Sequence, residues 1–164
     1  MMPSTGRTRV WFDTEFVEDG RTIELISIGL VREDDQYLYL ESSECDLSRA
    51  STWVQENVLP HLKGGAVQMS RPKIAEAVRG FVGERPEFWA YYADYDWVAL
   101  CQLFGTMMQL PKGWPMFCLD IKQEAYRLGC PQLPAVGKDE HDALADARWN
   151  RLAWEFLRAE ELTV

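Results

Sequence analysis

The sequence predicts an α/β domain whose mixed β-sheet opens with an antiparallel three-strand meander and is flanked by helices. The first forty residues contain three β-rich runs, separated by the turn signals Glu18-Asp19-Gly20 and Asp34-Asp35. From about residue 51 the apolar period becomes that of helices, with one compact aromatic strand between them. The three strands of the meander are predicted over 8–16, 22–31 and 37–40.

The remaining elements follow from helix-start and helix-stop signals. A helix over 70–82 is predicted to begin at Ser70 as N-cap, with Pro72 in its first turn. An earlier helix over 51–62 is expected to end or kink at Pro60. The run FWAYY favours a buried strand. We predict this strand over 88–92, helices over 94–104, 119–128 and 142–161, and on the last helix an apolar stripe of Ala145, Trp149, Leu152, Ala153 and Phe156.

The 164 residues contain no repeat or linker, so we predict a single domain over 1–164. No apolar run approaches the roughly 18 residues that a membrane span needs, and residues 1–9 lack the apolar region of a secretory signal. We therefore expect a cytoplasmic protein without a membrane partner. The four cysteines form no CxxC pair and are expected to be reduced, mostly buried thiols.

The charge balance limits how the chain could bind nucleic acid. Asp and Glu number 26 against 17 Lys and Arg, for a formal net charge of −9. This composition argues against a basic face that holds a long nucleic acid. It does not exclude a nuclease that grips a few terminal nucleotides through metal ions, because such an enzyme needs few phosphate contacts.

A pair of carboxylates in the first predicted strand is the first candidate site. Asp13 and Glu15 are separated by one residue, so an extended strand places both on the same face. Like charges at this spacing repel unless a positive group lies between them, and a divalent cation with oxygen ligands is a common solution. The alternative is a strand end at the surface, with both acids in water.

Two later segments carry further candidates. Asp94 and Asp96 lie at a predicted strand-to-helix junction, where α/β folds place their chemistry. His141 precedes Asp146 by five residues. Positions five apart on one helix lie about 140° from each other, so the two side chains can share a site only if His141 precedes the helix. Asp142 as N-cap would allow this; the alternative is a solvated acidic helix start. His61, near a helix end, is assigned no catalytic role.

In order and spacing, these motifs resemble those of the DEDDh 3′-to-5′ exonucleases, on the ribonuclease T and oligoribonuclease side of that superfamily. The similarity is closer still to the ribonuclease AS group, small bacterial exoribonucleases with a preference for polyadenylate. It covers residues from about 9 to 150 and is carried by DTEFVEDG with TIELISIG, by YD followed by VALCQ, and by HDAL. The sequence departs from the pattern at Ala93, where many relatives have Asn. Asp94 is therefore a rival to Asp96, which we prefer because an aromatic residue precedes it.

The resemblance implies a ribonuclease-H-like fold and a two-metal mechanism. It implies that His141 takes the proton of the attacking water, and that nucleoside 5′-monophosphates leave from the 3′ end of single-stranded RNA. Two Mg²⁺ or Mn²⁺ ions would be held by four carboxylates: Asp13, Glu15, Asp96 and Asp146.

Three further residues near these motifs are predicted to contact substrate. Phe16 and Trp97 follow the acids directly and could stack on bases, although ordinary core packing is the alternative for both. Arg148, on the turn that follows Asp146, could reach a phosphate or simply solvate the helix.

Other functions remain open at this point. A DNA 3′ exonuclease would use the same residues, since the contact with the 2′-OH that distinguishes RNA is not visible in the sequence. A catalytically silent module that binds RNA or protein would not need four carboxylates that repel phosphate. A ribonuclease-H-type endonuclease fits the acid spacing and the histidine less well. Relatives of the ribonuclease T group are commonly homodimers, but a monomer with a rich core would have the same composition.

Overall fold

The computed structural model describes residues 6–162. This part of the chain contains one six-stranded mixed sheet flanked by helices. Both ends of the domain predicted over 1–164 lie outside the described residues, as does the start of the segment over 1–9 that was predicted to lack a secretory signal. The strand order is β4-β3-β2-β1-β5-β6. The strands are β1 (Thr8–Glu18), β2 (Ile23–Arg32), β3 (Tyr37–Ser42), β4 (Gln68–Met69), β5 (Pro86–Ala90) and β6 (Leu119–Asp120). The helices are α1 (Thr52–Asn57), α2 (Arg71–Val82), α3 (Ala93–Gln102), α4 (Ile121–Arg127) and α5 (Ala143–Glu161).

The predicted α/β class with its opening meander is confirmed. β2 pairs antiparallel with both β1 and β3, whereas β5 runs parallel to β1 on the other side. In the β1–β2 ladder Asp13 lies opposite Gly29, and the register shifts between Glu15 and Phe16. Such a bulge bends its strand and re-aims side chains, and bulges often occur beside active sites. β1 is therefore irregular just after the acid pair.

Several predicted boundaries were wrong, each for a local reason. β5 ends at Ala90, so the last two aromatics of the run FWAYY form the turn into α3. α1 ends at Asn57, and Pro60 lies in a separate 3₁₀ turn, Leu59–His61. α4 begins only at Ile121, because the two residues before it pair with β5. Strands β4 and β6, of two residues each, are too short to show a period in the sequence.

α5 packs across β1 and β2, and its buried face differs from the predicted stripe. Of the five predicted residues only Ala153 is fully buried, while Leu152 is 49% exposed. The face toward the sheet instead carries small residues at the helix start, because β2 approaches this turn closely at Gly29. The buried residues of α5 are Ala143, Leu144, Ala147, Asn150, Ala153 and Leu157.

All four cysteines are free thiols, as expected, but the expectation that most of them are buried was wrong: Cys101 is buried, Cys45 and Cys118 are partly buried, and Cys130 is exposed. Within residues 6–162, no helix has the length and apolar character that a membrane crossing requires.

Candidate active site

Three segments of the chain meet at one cavity of about 610 Å³. β1 contributes Asp13 and Glu15, which point to the same side because they lie two positions apart. β5 is parallel to β1, with Trp89 beside Trp11, so the turn after β5 arrives next to the acid pair. α5 brings its first turn over the same part of the sheet. The five residues predicted for catalysis all line this cavity: Asp13, Glu15, Asp96, His141 and Asp146.

Asp96 is held by the strand that carries the acid pair. Its Oδ1 accepts hydrogen bonds from Thr14 N at 2.8 Å and from Thr14 Oγ1 at 2.6 Å. The side chain is buried, at 6% exposure, whereas Asp94 is exposed and lies outside the cavity lining. The structure thus brings Asp96, and not its rival, to the site.

His141 and Asp146 meet because the histidine precedes the helix. Asp142 is the N-cap of α5, as predicted, and its side chain accepts hydrogen bonds from Leu144 N and Ala145 N. His141 has a φ of 73°, a left-handed conformation that turns the chain back, and its N–H donates to Asp146 Oδ2 at 2.8 Å. Potential ligand atoms of Glu15, His141 and Asp146 lie within 4.8 Å of one another.

Lys63 ties the start of α5 to strand β3. Its ammonium lies 3.2 Å from Asp142 Oδ2 and 3.8 Å from the centre of the Tyr39 ring. The buried Glu41 carboxylate accepts from Lys63 N at 2.5 Å and Gly64 N at 3.0 Å, and from the Tyr39 hydroxyl at 2.8 Å. This network fixes the loop that carries the ammonium, and with it the start of the helix.

Burial destabilises the charged forms of the cavity carboxylates, and repulsion among negative charges adds to this effect. Burial raises the pKa of Asp13 well above its usual range, and repulsion from Asp96 and Glu15 adds to this. Burial, with repulsion from Asp146 and Asp96, raises the pKa of Glu15 to about 8. Burial also raises the pKa of Asp96 to about 6 against the opposing Thr14 hydrogen bonds, and raises that of Asp146. The raised pKa values indicate that the four carboxylates have too little positive charge near them to stabilise their ionised forms.

These residues fit a divalent cation. Within residues 6–162, no lysine or arginine forms an ion pair with Asp13, Glu15, Asp96 or Asp146. The donor set is made of carboxylate oxygens with one imidazole, which suits Mg²⁺ or Mn²⁺ better than a soft metal. A bound cation would supply the positive charge that the protein side chains do not.

Aromatic side chains form the walls of the cavity. Phe16 lines it and meets Tyr95 edge-to-face at 5.9 Å between ring centres. Trp53, half exposed on α1, packs edge-to-face against His141 at 4.7 Å. Sequence reasoning missed Trp53, which is far from the acidic motifs in the sequence, and also Tyr92, which was assigned to the predicted strand over 88–92. The only signal for Tyr92 was its place in the last two residues of FWAYY, directly before the predicted junction.

Two predicted substrate contacts are not brought to the cavity. Trp97 turns away from Asp96 and packs against Phe88 at 5.3 Å and the core around it. This agrees with the core-packing alternative, since neighbours on a helix face different directions. Arg148 lies over the Tyr37 ring at 4.8 Å, on a different surface from the acids. Its position on α5, two residues after Asp146, turns it to the opposite side.

Comparison with known proteins identifies a protein family that matches most of the chain. Residues 8–158 match the family of the 3′-5′ exoribonuclease Rv2179c-like domain. The chain is also 45% identical over 146 residues to two proteins of Mycobacterium tuberculosis, named 3′-5′ exoribonuclease MT2234.1 (strain CDC 1551 / Oshkosh) and 3′-5′ exoribonuclease Rv2179c (strain ATCC 25618 / H37Rv). The matched region covers 85% of this chain and 87% of each relative.

Proposed function

The chain belongs to the 3′-5′ exoribonuclease Rv2179c-like family, and from this premise we propose that it is a metal-dependent exoribonuclease of the DEDDh type. It removes nucleoside 5′-monophosphates one at a time from the 3′ end of single-stranded RNA. One observation carries this proposal. Four carboxylates and one imidazole, from three distant parts of the chain, line a single cavity, and among residues 6–162 no lysine or arginine forms an ion pair with any of the four carboxylates.

Asp13, Glu15, Asp96 and Asp146 would together hold two Mg²⁺ or Mn²⁺ ions. When bound, such ions would lower the pKa of an attacking water and stabilise the leaving 3′ oxygen. Deprotonation of the acids is needed for binding, so cation affinity rises as Glu15 and Asp96 lose their protons.

His141 takes the proton of the attacking water. Its backbone N–H is already held by Asp146, and its ring rests against Trp53 at the cavity wall. The imidazole is therefore placed beside the acids without being buried among them. Histidine is the side chain that proteins most often use for proton transfer at neutral pH.

The substrate assignment rests on the relatives and on the aromatic walls. Both M. tuberculosis relatives are named exoribonucleases, and the resemblance to the ribonuclease AS group favours adenylate-rich RNA. Phe16, which lines the cavity, offers a ring on which a base can stack. A catalytically silent module is disfavoured, since it would keep destabilising carboxylates for no purpose.

A single time course tests the proposal. Wild type, His141→Ala and the matched variant His61→Ala are each given 5′-labelled oligoadenylate RNA and the same sequence as DNA, with Mg²⁺ or with chelator. We expect a metal-dependent ladder that shortens from the 3′ end of RNA. Loss of a general base lowers kcat by about 100- to 10,000-fold, so His141→Ala should be nearly inactive while His61→Ala resembles wild type.

The remaining outcomes separate the alternatives. Equal loss of RNA and DNA would keep the mechanism and remove the preference for RNA. Internal cuts would indicate an endonuclease. If the folded protein binds RNA but cleaves none with any divalent metal, the protein is a binding module and not an enzyme.

A further inference from the structure

Tyr92 occupies a place in the fold where a tyrosine is unexpected. It is the second of the two residues between β5 and α3 and the N-cap of α3, with φ 52° and ψ 51°, a left-handed conformation that favours glycine or asparagine. Its side chain is 62% exposed, so core packing does not account for it. It also lines the cavity that contains the catalytic carboxylates. A strained backbone with an exposed aromatic side chain at a ligand cavity indicates a role for that side chain.

The ring of Tyr92 is supported from one side by a rigid aromatic wall. It meets Tyr91 edge-to-face at 4.7 Å between ring centres, and Tyr91 meets Trp149 edge-to-face at 5.0 Å. Trp149 is in turn fixed by a hydrogen bond from its indole N–H to Pro134 O at 3.1 Å. All three rings line the cavity. The exposed ring is thus held in place before any ligand arrives, which lowers the entropic cost of stacking.

Lys122 places a cation beside this ring. Its ammonium lies 5.7 Å from the Tyr92 ring centre, and within the part of the chain that the structure describes it forms no ion pair. The arrangement is fixed by Asp120, whose carboxylate accepts from Ala93 N at 3.1 Å and from Lys122 N at 2.6 Å. The Asp120 carboxylate therefore links the backbone of Ala93, next to Tyr92, to the backbone of Lys122.

We propose that Tyr92 and Lys122 form a binding subsite for single-stranded RNA at the rim of the catalytic cavity, with a base stacked on the Tyr92 ring and a phosphate next to the Lys122 ammonium. This inference rests on the proposed exoribonuclease function. A ring paired with a cation is the combination by which proteins bind single strands without reading their sequence. In an acidic protein, a free cation at this rim also offsets the carboxylates that would otherwise repel the incoming strand.

Equilibrium binding tests the subsite. The probe is a 5′-fluorescein-labelled oligoadenylate RNA, and anisotropy is measured in an Asp13→Asn background so that no cleavage occurs. We expect Tyr92→Leu to weaken binding by about 5- to 100-fold, the range for loss of one stacked base, and Tyr92→Phe to restore it to within about twofold. Tyr126→Leu, which removes an exposed tyrosine of α4 outside the cavity, is the matched control and should bind like the parent.

A second probe separates stacking from a merely structural effect. With an oligonucleotide whose bases are removed at successive positions, Tyr92→Leu should cause no further loss once the base that it stacks on is absent. Lys122→Met should reduce the slope of log Kd against log salt by about 0.7, the value for one phosphate contact in single strands. The exposed Lys73→Met on α2 should leave that slope unchanged.

The outcomes distinguish the subsite from the proposed function. If wild type cleaves RNA while Tyr92→Leu and Lys122→Met bind it as the parent does, the subsite is wrong and the function stands. If wild type cleaves no RNA, the proposed function fails. A loss of affinity in Tyr92→Leu that is equal for intact and for every base-free probe would also overturn the subsite, because it would reflect a change in fold.

Discussion

Gly29 in β2 lies so close to the first turn of α5 that a Cβ at this position would overlap the carbonyl group of Ala143. Gly29 is also the partner of Asp13 in the β1–β2 ladder. The contact therefore sets the height of α5 above the sheet directly beside the first acid. Since α5 carries Asp146 and follows His141, this one glycine helps to determine whether the two halves of the site meet.

Gly29→Ala should damage both stability and activity. The added methyl group meets backbone atoms, which cannot move aside as a flexible side chain would. We expect the overpacking to lower the free energy of unfolding by about 1 to 3 kcal/mol, and the melting temperature by roughly 2 to 4 °C for each kcal/mol. Thermal unfolding and initial cleavage rates measure the two effects.

Gly80→Ala is the matched control for this prediction. Gly80 lies within α2, where a Cβ would meet nothing within 4 Å. Alanine is favoured over glycine in a helix by about 1 kcal/mol, so Gly80→Ala should raise the melting temperature and leave cleavage unchanged. A Gly29→Ala protein as stable and active as wild type would show that α5 can shift without cost.

Asp96 and Asp94 should respond differently to the same substitution. Asp96→Asn removes a carboxylate that lines the cavity, whereas Asp94→Asn changes an exposed side chain on the same helix. Even loss of a partner of a metal ligand costs about 10- to 100-fold, so Asp96→Asn should lower kcat by at least that much, and it should weaken the rise in melting temperature on adding Mg²⁺. Equal effects of the two substitutions would contradict the assignment of Asp96.

The metal-free protein should lose stability as the pH rises. The pKa values of Glu15 and Asp96 are raised to about 8 and about 6, above their usual range near 4. The folded state therefore binds these protons more tightly than the unfolded chain. Their contribution to stability is fully present below about pH 4 and is lost as the pH rises through about 6 to 8. Thermal unfolding in chelator over this range measures the loss.

A divalent cation should reverse this loss, most strongly at the alkaline end, because it binds the deprotonated carboxylates. Glu15→Gln removes one of the raised groups and should make the melting temperature in chelator less dependent on pH. The control is Glu56→Gln, an exposed residue of α1, which should follow the wild-type curve. A chelated wild-type protein whose stability rises from pH 5 to 8 would contradict the origin of these pKa shifts.

The sequence by itself determined the parts of the fold and the site that depend on neighbouring residues. Alternation and turn signals predict the meander, and a period of two places Asp13 and Glu15 on one face. The angular argument that His141 must precede the helix, with Asp142 as N-cap, is confirmed because capping is decided within one turn of chain.

Only the tertiary structure decided which distant groups meet. The hydrogen bonds from Thr14 to Asp96, 82 positions apart, depend on β5 lying parallel to β1. Trp97 turns to the core and Arg148 to another surface, although both are close in sequence to the acidic motifs. Tyr92, which no motif singled out, reaches the cavity through a left-handed turn. Adjacency along the chain fixes local conformation, whereas the direction in which a side chain points depends on how strands and helices pack.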